Sequence, residues 1–560
     1  MRFFRVLVLA ALSLGLSACQ PMQPRPQSGA APVQVRLIAI NDFHGYLEPS
    51  SNHEDGAVPG VADQLAGGAA ALAGLVERLR AAQPNARMVA AGDLVGASPL
   101  SSSLLRDEPS IEVLSRMGLV VSAVGNHEFD HGLAEVQRLQ NGGCPTTGCV
   151  AGKPEFAGAT FRYLSANIFE AKTGKRVFPA YQVETIGAAR VAFIGATLHT
   201  APDVVVPMNI VGLRFDDEVA SINALVPEIR AQGVRAMVVL IHEGGVVEGV
   251  LDAATCAGLR GPIVDLVRRL DPEIDVVVSA HSHRAYVCRV DGRLLSQGGS
   301  YGHLATAIDL EIDRASGDVL SSQAENFLAD SARPSSDPAY ASLVAAAKAN
   351  AQAIATRPIA RLAVAQIARA VASNGESPLG RLIADSQLEA ARAQGAQIAC
   401  MNAGGVRQNL PASPRAQGPL EFADLQAVQP FGNSLVVLDL SGSELLAMLE
   451  DQWRRPVPTS LLSCSHGFSY RFEQAHPLGQ HIVAGSARLN GKPIGAQTRY
   501  RVAVNSFLGG GGDSNPTLKQ AKRVADVGDD LEALITYLKA HEPVAPSNDI
   551  RAQGAFGGAP

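Results

Sequence analysis

The chain has 560 residues, of which 47% are hydrophobic and 18% charged, with 54 Gly, 33 Pro and a formal net charge of −6. That length exceeds what one hydrophobic core organises, so two domains are expected, and the composition excludes a largely disordered chain. The acidic balance excludes a dedicated nucleic-acid surface, which needs a basic stripe, and no internal repeat or run of like charge stands out.

The chain opens on an export signal over residues 1–19. Arg2 and Arg5 precede an apolar stretch from Val6 to Leu16, too short to span a bilayer as a mature helix. Leu16-Ser17-Ala18-Cys19 resembles the bacterial lipobox, which implies cleavage before a lipid-bearing Cys19; an ordinary signal peptide with an incidental cysteine is the alternative. Residues 20–32, rich in Pro, Gln and Ala, read as a tether. Gln20 after the lipidated cysteine points to the outer membrane of a Gram-negative cell. An exported chain meets an oxidising compartment, so the remaining cysteines are expected to pair. Cys144 and Cys149 enclose a tight turn that a disulfide would staple. Cys256 with Cys288 is a candidate pair, as is Cys400 with Cys464 by elimination, and sequence leaves their connectivity open.

From residue 33 to about 330, strands alternate with helical stretches. Short β-branched runs at 35–40, 88–91, 120–124, 237–241 and 274–278 read as buried strands. Each ends in metal-seeking side chains: Asn41-Asp42-Phe43-His44, Gly92-Asp93, Gly125-Asn126-His127-Glu128, His242-Glu243 and His281-Ser282-His283. A further run, at Gly195-Ala196-Thr197, ends without ligands. Residues just past the carboxyl ends of strands converge at one edge of an α/β sheet, so this set is expected in one pocket. Asp, His and Asn suit divalent transition metals rather than calcium or a thiolate zinc site. Taken alone, His242 reads equally well as a structural, hydrogen-bonded histidine.

Apolar spacing predicts helices over 68–80, 219–231 and 263–270. Pro334 to Pro338 breaks the alternation. An isolated Ala-rich helix over 338–356 then ends at Arg357-Pro358, a connector and candidate hinge. A second αβ region follows, with a helix at 379–393 and strands at 397–401, 435–440, 467–472 and 500–505. The expected division is a catalytic domain at 33–330, a helical linker at 331–358, a second domain at 359–542 and a disordered Pro-, Gly- and Ala-rich tail at 543–560.

The ordered set Asp-x-His, Gly-Asp, Gly-Asn-His-Glu, His and His-x-His, each after a strand, resembles the calcineurin-like metallophosphoesterase superfamily over residues 42–283. The resemblance implies a four-layer αββα sandwich and two divalent cations. Asp42, His44, Asp93 and His283 would hold the first; Asp93, Asn126, His242 and His281 the second. Cations about 3.5–4 Å apart need a bridging anion, which Asp93 supplies. Neutral imidazole and amide ligands keep the net charge positive, so water deprotonates near neutral pH and attacks phosphorus in line. By the same resemblance His127 is no ligand; it stabilises the transition state or assists the leaving oxygen, with Asp130 orienting its ring. Glu128 has no chemical role beyond bonding backbone amides. Ala280 stands where the superfamily usually has glycine, a departure that removes no ligand. Zinc, manganese, cobalt and iron all accept this ligand set.

The carboxyl-terminal part resembles the 5'-nucleotidase C-terminal domain, an α+β unit that accompanies this catalytic domain in periplasmic and surface 5'-nucleotidases and UDP-sugar hydrolases. Asn402-Ala403-Gly404-Gly405-Val406-Arg407, Pro430-Phe431-Gly432-Asn433 and Asn505-Ser506-Phe507 through Asp513 carry the likeness. It implies that Asn402 and Arg407 meet substrate, with Arg407 on phosphate. Phe431 and Phe507 stack on the two faces of a base, at about 1–3 kcal/mol per stacked base. Asn433 bonds the base edge, Asp513 accepts from ribose hydroxyls, and Gly467 lies near the base. The alternative is that both Phe residues belong to the core, against which the glycines at 509–512 place Phe507 in a surface loop. Arg369 is a loosely spaced candidate phosphate contact, and Arg381, where the family commonly has Asn, reads as a surface residue.

The expectation is an exported, lipid-anchored 5'-nucleotidase-type phosphohydrolase with two divalent ions (Zn, Mn, Co or Fe). Its substrates are nucleoside 5'-monophosphates, with di- and triphosphates or UDP-sugars as further possibilities. Its partners are small-molecule nucleotides, not nucleic acid polymers, with the membrane met only through the N-terminal lipid, and a monomer is expected. The alternatives are a 2',3'-cyclic-nucleotide 2'-phosphodiesterase/3'-nucleotidase and, in another class, a catalytically silent surface nucleotide-binding protein.

Overall fold

β-Branched runs flanked by helices pair mainly in parallel, and here they build two sheets that face each other. The computed structural model describes residues 31–51, 65–145, 149, 155–414, 418–454 and 460–554. The lipobox with Cys19, and the tether up to residue 30, lie outside the described residues. Among the described residues no helix is long and apolar enough to cross a membrane.

The first six-stranded sheet runs in the order Val319–Leu328, Leu304–Ile312, Val33–Ile40, Ala86–Ala90, Leu119–Ala123, Arg162–Leu164. The second runs Ala285–Val290, Arg293–Gly298, Val276–Val278, Ala236–His242, Ala189–Thr197, Tyr181–Ile186. Side chains alternate across a strand, so each sheet has one face for its partner and one for helices. Leu37, Val89 and Val121 of the first sheet pack with Val191, Val238 and Val276 of the second. The outer face of the first sheet takes the helices Ala69–Ala82 and Glu108–Arg116; that of the second takes Glu218–Asn223, Val226–Ala231 and Pro262–Arg269. This is the four-layer αββα sandwich. Each fully buried Val, Leu or Ile contributes about 1.5–3 kcal/mol. The expected helix over 219–231 is two, because Pro227 lacks the amide to continue the first and instead starts the second.

The Ala-rich helix, Pro338–Ala355, is not isolated. Tyr340, Ala347 and Ala351 are buried on its inner face, Asp337 caps its start, and Lys348 meets Glu48 at 2.6 Å. Its small residues let it lie close to the helices Ala69–Ala82, Leu100–Ser103 and Glu108–Arg116. The chain leaves it at Arg357, whose guanidinium lies 5.0 Å from the centre of the Phe422 ring.

Beyond it, a five-stranded sheet orders Ser463–Cys464, Ile398–Met401, Arg499–Asn505, Ser434–Ser441, Lys522–Asp529. The helix Pro378–Ala390, capped by the Ser377 side chain, covers one face; Gly442–Glu450 covers the other. Disulfides join Cys144 to Cys149, Cys256 to Cys288, and Cys400 to Cys464, the last across paired strands.

The expected disordered tail is instead packed as far as residue 554. Ala552–Gln553 adds a parallel strand beside Tyr470 and Arg471. Arg551 is buried, with Nη1 and Nη2 donating to Asp385 at 2.9 and 2.8 Å and Nη1 also donating to the Cys464 carbonyl at 2.8 Å. Composition misleads here because buried polar contacts, the Arg551–Asp385 pair with the bonds from Arg551 to Glu376 and from Asn374 to the Ala552 carbonyl, anchor a segment that has few apolar residues of its own. Arg381 is likewise no surface residue: it is buried, 3.8 Å from Glu376, and donates to the Ser547 carbonyl of the same tail.

Candidate active site

The carboxyl ends of the parallel strands do bring the metal-seeking residues to one edge. Asp93 Oδ2 lies 3.0 Å from His242 Nε2 and 3.6 Å from His44 Nε2. His44 Nε2 is 3.1 Å from His283 Nε2, Asp42 Oδ1 is 3.6 Å from His283 Nε2, and Asn126 Oδ1 is 3.1 Å from His242 Nε2. Two donor groups result, Asp42 with His44 and His283, and Asp93 with His242 and His281, and each could hold a cation. Asp93 stands between them and Asn126 beside the second.

The backbone is bent to make this meeting. Asp42, His44, Asp93, His281 and His283 all have φ between 47° and 70°, a left-handed region that L residues other than Asn and Asp seldom enter. Such strain, of order 1–3 kcal/mol per residue, gathers where surrounding structure imposes it for a purpose. The bonds that impose it are visible. Glu128 accepts the amides of Asp93 (3.0 Å), Leu94 (2.8 Å) and Gly125 (2.6 Å), and the His281 amide donates to both Asp42 oxygens. Asn41 donates to Asp42 Oδ2 at 2.7 Å and holds the neighbouring turn through Gly298 and Gly299.

Tautomers follow from the second contacts. Nδ1 of His44 donates to the Gly96 carbonyl at 2.8 Å and Nδ1 of His242 to the Ala91 carbonyl at 3.0 Å, leaving Nε2 of each ring toward the donor group. Burial pushes His44 down to about 3 and His281 to about 4, so both rings are neutral. For His242 burial also works against charge, but the Asp93 carboxylate outweighs it and pushes the ring up to about 9. Asp93 Oδ2 and His242 Nε2, 3.0 Å apart, are two atoms that could hold one cation between them.

His127 stands apart from this donor set. Its amide donates to Asp93 Oδ1 at 2.9 Å, its Nδ1 lies 2.8 Å from Asp130 Oδ2, and its ring is 5.0 Å from that of His44. Tyr301, which sequence reading missed, packs edge-on against His44 and His283 at 5.8 and 5.3 Å and stacks on Tyr46 at 4.0 Å. An aromatic between Ser300 and Gly302 was the available signal.

The second domain comes to meet His127. His127 and Asp130 line a cavity of about 290 Å³ together with Asn402, Gly404, Gly405, Phe431, Asn433, Asn505, Phe507 and Asp513. The strand-end rule operates again: Asn402 follows the strand Ile398–Met401, Asn505 is the last residue of its parallel neighbour Arg499–Asn505, and Asn433 precedes an antiparallel neighbour. Asn402 donates to Asp513 at 2.8 Å and accepts from Asn505 at 3.0 Å. Phe431 and Phe507 are partly exposed, not core residues. Arg407 and Arg369 are not among the lining residues. Arg407 lies 5.6 Å from the centre of the Phe431 ring, and Arg369 donates to the Arg407 carbonyl at 2.8 Å. Gly467 does not line the cavity either. It sits in a turn with φ 82°, where a Cβ would collide with Asn490 Oδ1, so the need for glycine comes from the turn and not from a base.

Comparison with known proteins agrees with this arrangement. The family model for calcineurin-like phosphoesterase matches residues 35–285, and that for the 5'-nucleotidase C-terminal domain matches 346–520. The chain is 31% identical over 525 residues to endonuclease YhcR of Bacillus subtilis, covering 93% of this chain but 41% of that longer protein. It is 31% identical over 563 residues to cell wall protein Lmo0130 of Listeria monocytogenes, covering 96% of this chain and 71% of that one. A crystal structure of the 5'-nucleotidase precursor from Thermus thermophilus superposes with a TM-score of 0.65 at 27% identity, over 93% of this chain and 99% of that one. With both halves matched in order and the donor groups assembled, the chain belongs to the 5'-nucleotidase family of metal-dependent nucleotide phosphohydrolases.

Proposed function

We propose that the protein releases phosphate from nucleoside 5'-monophosphates outside the cytoplasm. The observation that carries this reading is the single cavity that joins His127 and Asp130 to Phe431 and Phe507. It spans a nucleotide: an aromatic clamp at one end, a phosphate-reactive imidazole at the other.

The donor set fits two divalent cations, since both Nδ1 atoms of His44 and His242 are committed to carbonyls and a carboxylate stands between the groups. Asp42, His44, Asp93 and His283 would hold one ion and Asp93, Asn126, His242 and His281 the other. Bound there, the ions supply an acidified water nucleophile and neutralise charge on the phosphate. The remaining work falls to the chain. Asp130 holds Nδ1 of His127, which leaves Nε2 to bond a phosphate oxygen or to protonate the departing ribose oxygen. Phe431 and Phe507 bury the two faces of the base, Asn433 bonds its edge and Asp513 the ribose hydroxyls. Arg407 and Arg369 contribute positive charge at the rim.

A 5'-phosphate is favoured over a 3'-phosphate or a 2',3'-cyclic ester because the clamp and His127 bracket the full length of the nucleoside. Purified protein given adenosine 5'-monophosphate, 3'-monophosphate and the 2',3'-cyclic ester should release phosphate fastest from the first. A preference for either of the others overturns this reading. Three disulfides support an oxidising compartment, and with lipid on Cys19 the protein sits on the periplasmic side of the outer membrane. Labelled palmitate should enter the wild-type protein in cells and not the Cys19→Ala variant.

A further inference from the structure

The cavity has a wall that neither sequence signature covers. The strand Ala189–Thr197 ends without a metal-seeking side chain, and the chain beyond it turns through Ala201–Asp203 and Pro207–Ile210. That segment is fixed to the catalytic domain. Leu198, Ala201, Val205 and Ile210 are buried in its core. The amides of Val204 and Val205 both donate to the Ala201 carbonyl at 3.0 Å, and Asn209 Nδ2 donates to the Asp130 carbonyl at 2.6 Å. With Val205 turned inward, its neighbours Val204 and Val206 are left on the other side. There they line the same cavity as Phe431 and Phe507, beside the exposed carboxylate of Asp203. Val204 keeps 46% of its surface exposed, although it belongs to a tightly anchored turn.

Resting on the nucleotidase reading, we propose that Val204 and Val206 are base-binding residues, a catalytic-domain wall against the edge of the base held by Phe431 and Phe507. The two valine side chains offer no hydrogen bond, so that part of the wall favours the apolar C–H edge of a heterocycle and gives nothing to a substrate without a base, while Asp203 next to them repels a phosphate group. Because Asn209 ties this segment to Asp130, the wall stands at a fixed distance from His127. Selection of base-bearing substrates is therefore shared between the domains.

The test is steady-state hydrolysis of adenosine 5'-monophosphate and of ribose 5-phosphate by the wild type, by the double variant Val204→Ser/Val206→Ser and by Val204→Ile/Val206→Ile. A few tens of Å² of apolar contact correspond to about a five- to tenfold effect. In the serine variant KM for the nucleotide should rise by about that factor, with kcat within about twofold of wild type. The selectivity for nucleotide over ribose 5-phosphate in kcat/KM should fall about as far, and the isoleucine variant should restore it. Inhibition by adenosine should weaken in parallel. If the serine variant keeps the wild-type selectivity, or loses activity equally on both substrates, the wall is refuted alone. Wild-type protein that prefers ribose 5-phosphate to the nucleotide overturns the nucleotidase reading and the wall with it.

Discussion

Asp130 Oδ2 lies 2.8 Å from Nδ1 of His127 and also accepts the Ala97 amide at 3.1 Å, so this carboxylate is fixed from two sides and fixes the ring in turn. An imidazole held at Nδ1 presents Nε2 in one direction, toward the cavity the two domains share. Asp130→Asn should keep the fold and lower kcat about 10- to 100-fold with KM little changed. His127→Ala should cost about 10²- to 10⁴-fold, the usual worth of a positioned acid or base. An Asp130→Asn variant with wild-type kcat contradicts the pairing.

Gly125 is the tightest point beneath the donor set. A Cβ there would collide with Asp93 Oδ1 and fall 2.6 Å from the Asp93 amide. Gly125→Ala must therefore displace the carboxylate that stands between the two groups. Elemental analysis of this variant should find less than about half the wild-type metal, and kcat should fall at least about tenfold. Full metal content with full activity would mean that Asp93 can shift without consequence.

Arg551 and Asp385 join the end of the chain to the helix Pro378–Ala390. Removing one partner of a buried ion pair leaves a charge without compensation, at about 3–5 kcal/mol. Arg551→Met should lower the thermal midpoint by several degrees, and truncation after residue 542 should do at least as much. An unchanged midpoint in both would show the tail to be dispensable.

Asp275 supplies a pH signature far from the chemistry. Burial raises its carboxyl from 3.8 to about 7 in the folded protein. A raised folded value means that stability is fully present below the unfolded value near 4 and is lost as pH rises through about 7. Asp275→Asn keeps an acceptor for the Met237 amide, which now donates at 2.9 Å, and removes the titration. Denaturant unfolding should show the variant gaining on wild type between about pH 4 and pH 7, with a slope of at most about 1.4 kcal/mol per pH unit, and levelling off above. A difference independent of pH contradicts the shift.

Much of the site was legible because strand ends converge by a topological rule. Asp42, Asp93, Asn126, His242 and His281 each follow a short β-branched run, and the runs pair in parallel. What was not legible is set by contacts distant in sequence. The aromatic in Ser300-Tyr301-Gly302 marks a residue of interest, but its packing against His44 and His283 comes from elements distant in sequence. Arg381 and Arg551 look like surface charges until Glu376 and Asp385 are found beside them in the interior. Gly467 shows the converse: a glycine attributed to a ligand is demanded by its own backbone and by Asn490.

The central claim is that Asp93 is shared by two cations at the end of a nucleotide cavity. It is tested most directly by counting metal in purified wild-type and Asp93→Ala protein alongside phosphate release from adenosine 5'-monophosphate. Measurements are made as isolated, after chelation, and after restoration with single metals. The account predicts two ions per wild-type chain, loss of release on chelation and recovery on restoration, and an Asp93→Ala variant that keeps neither ions nor turnover. Undiminished release from the chelated wild type, or from Asp93→Ala protein free of metal, would contradict it.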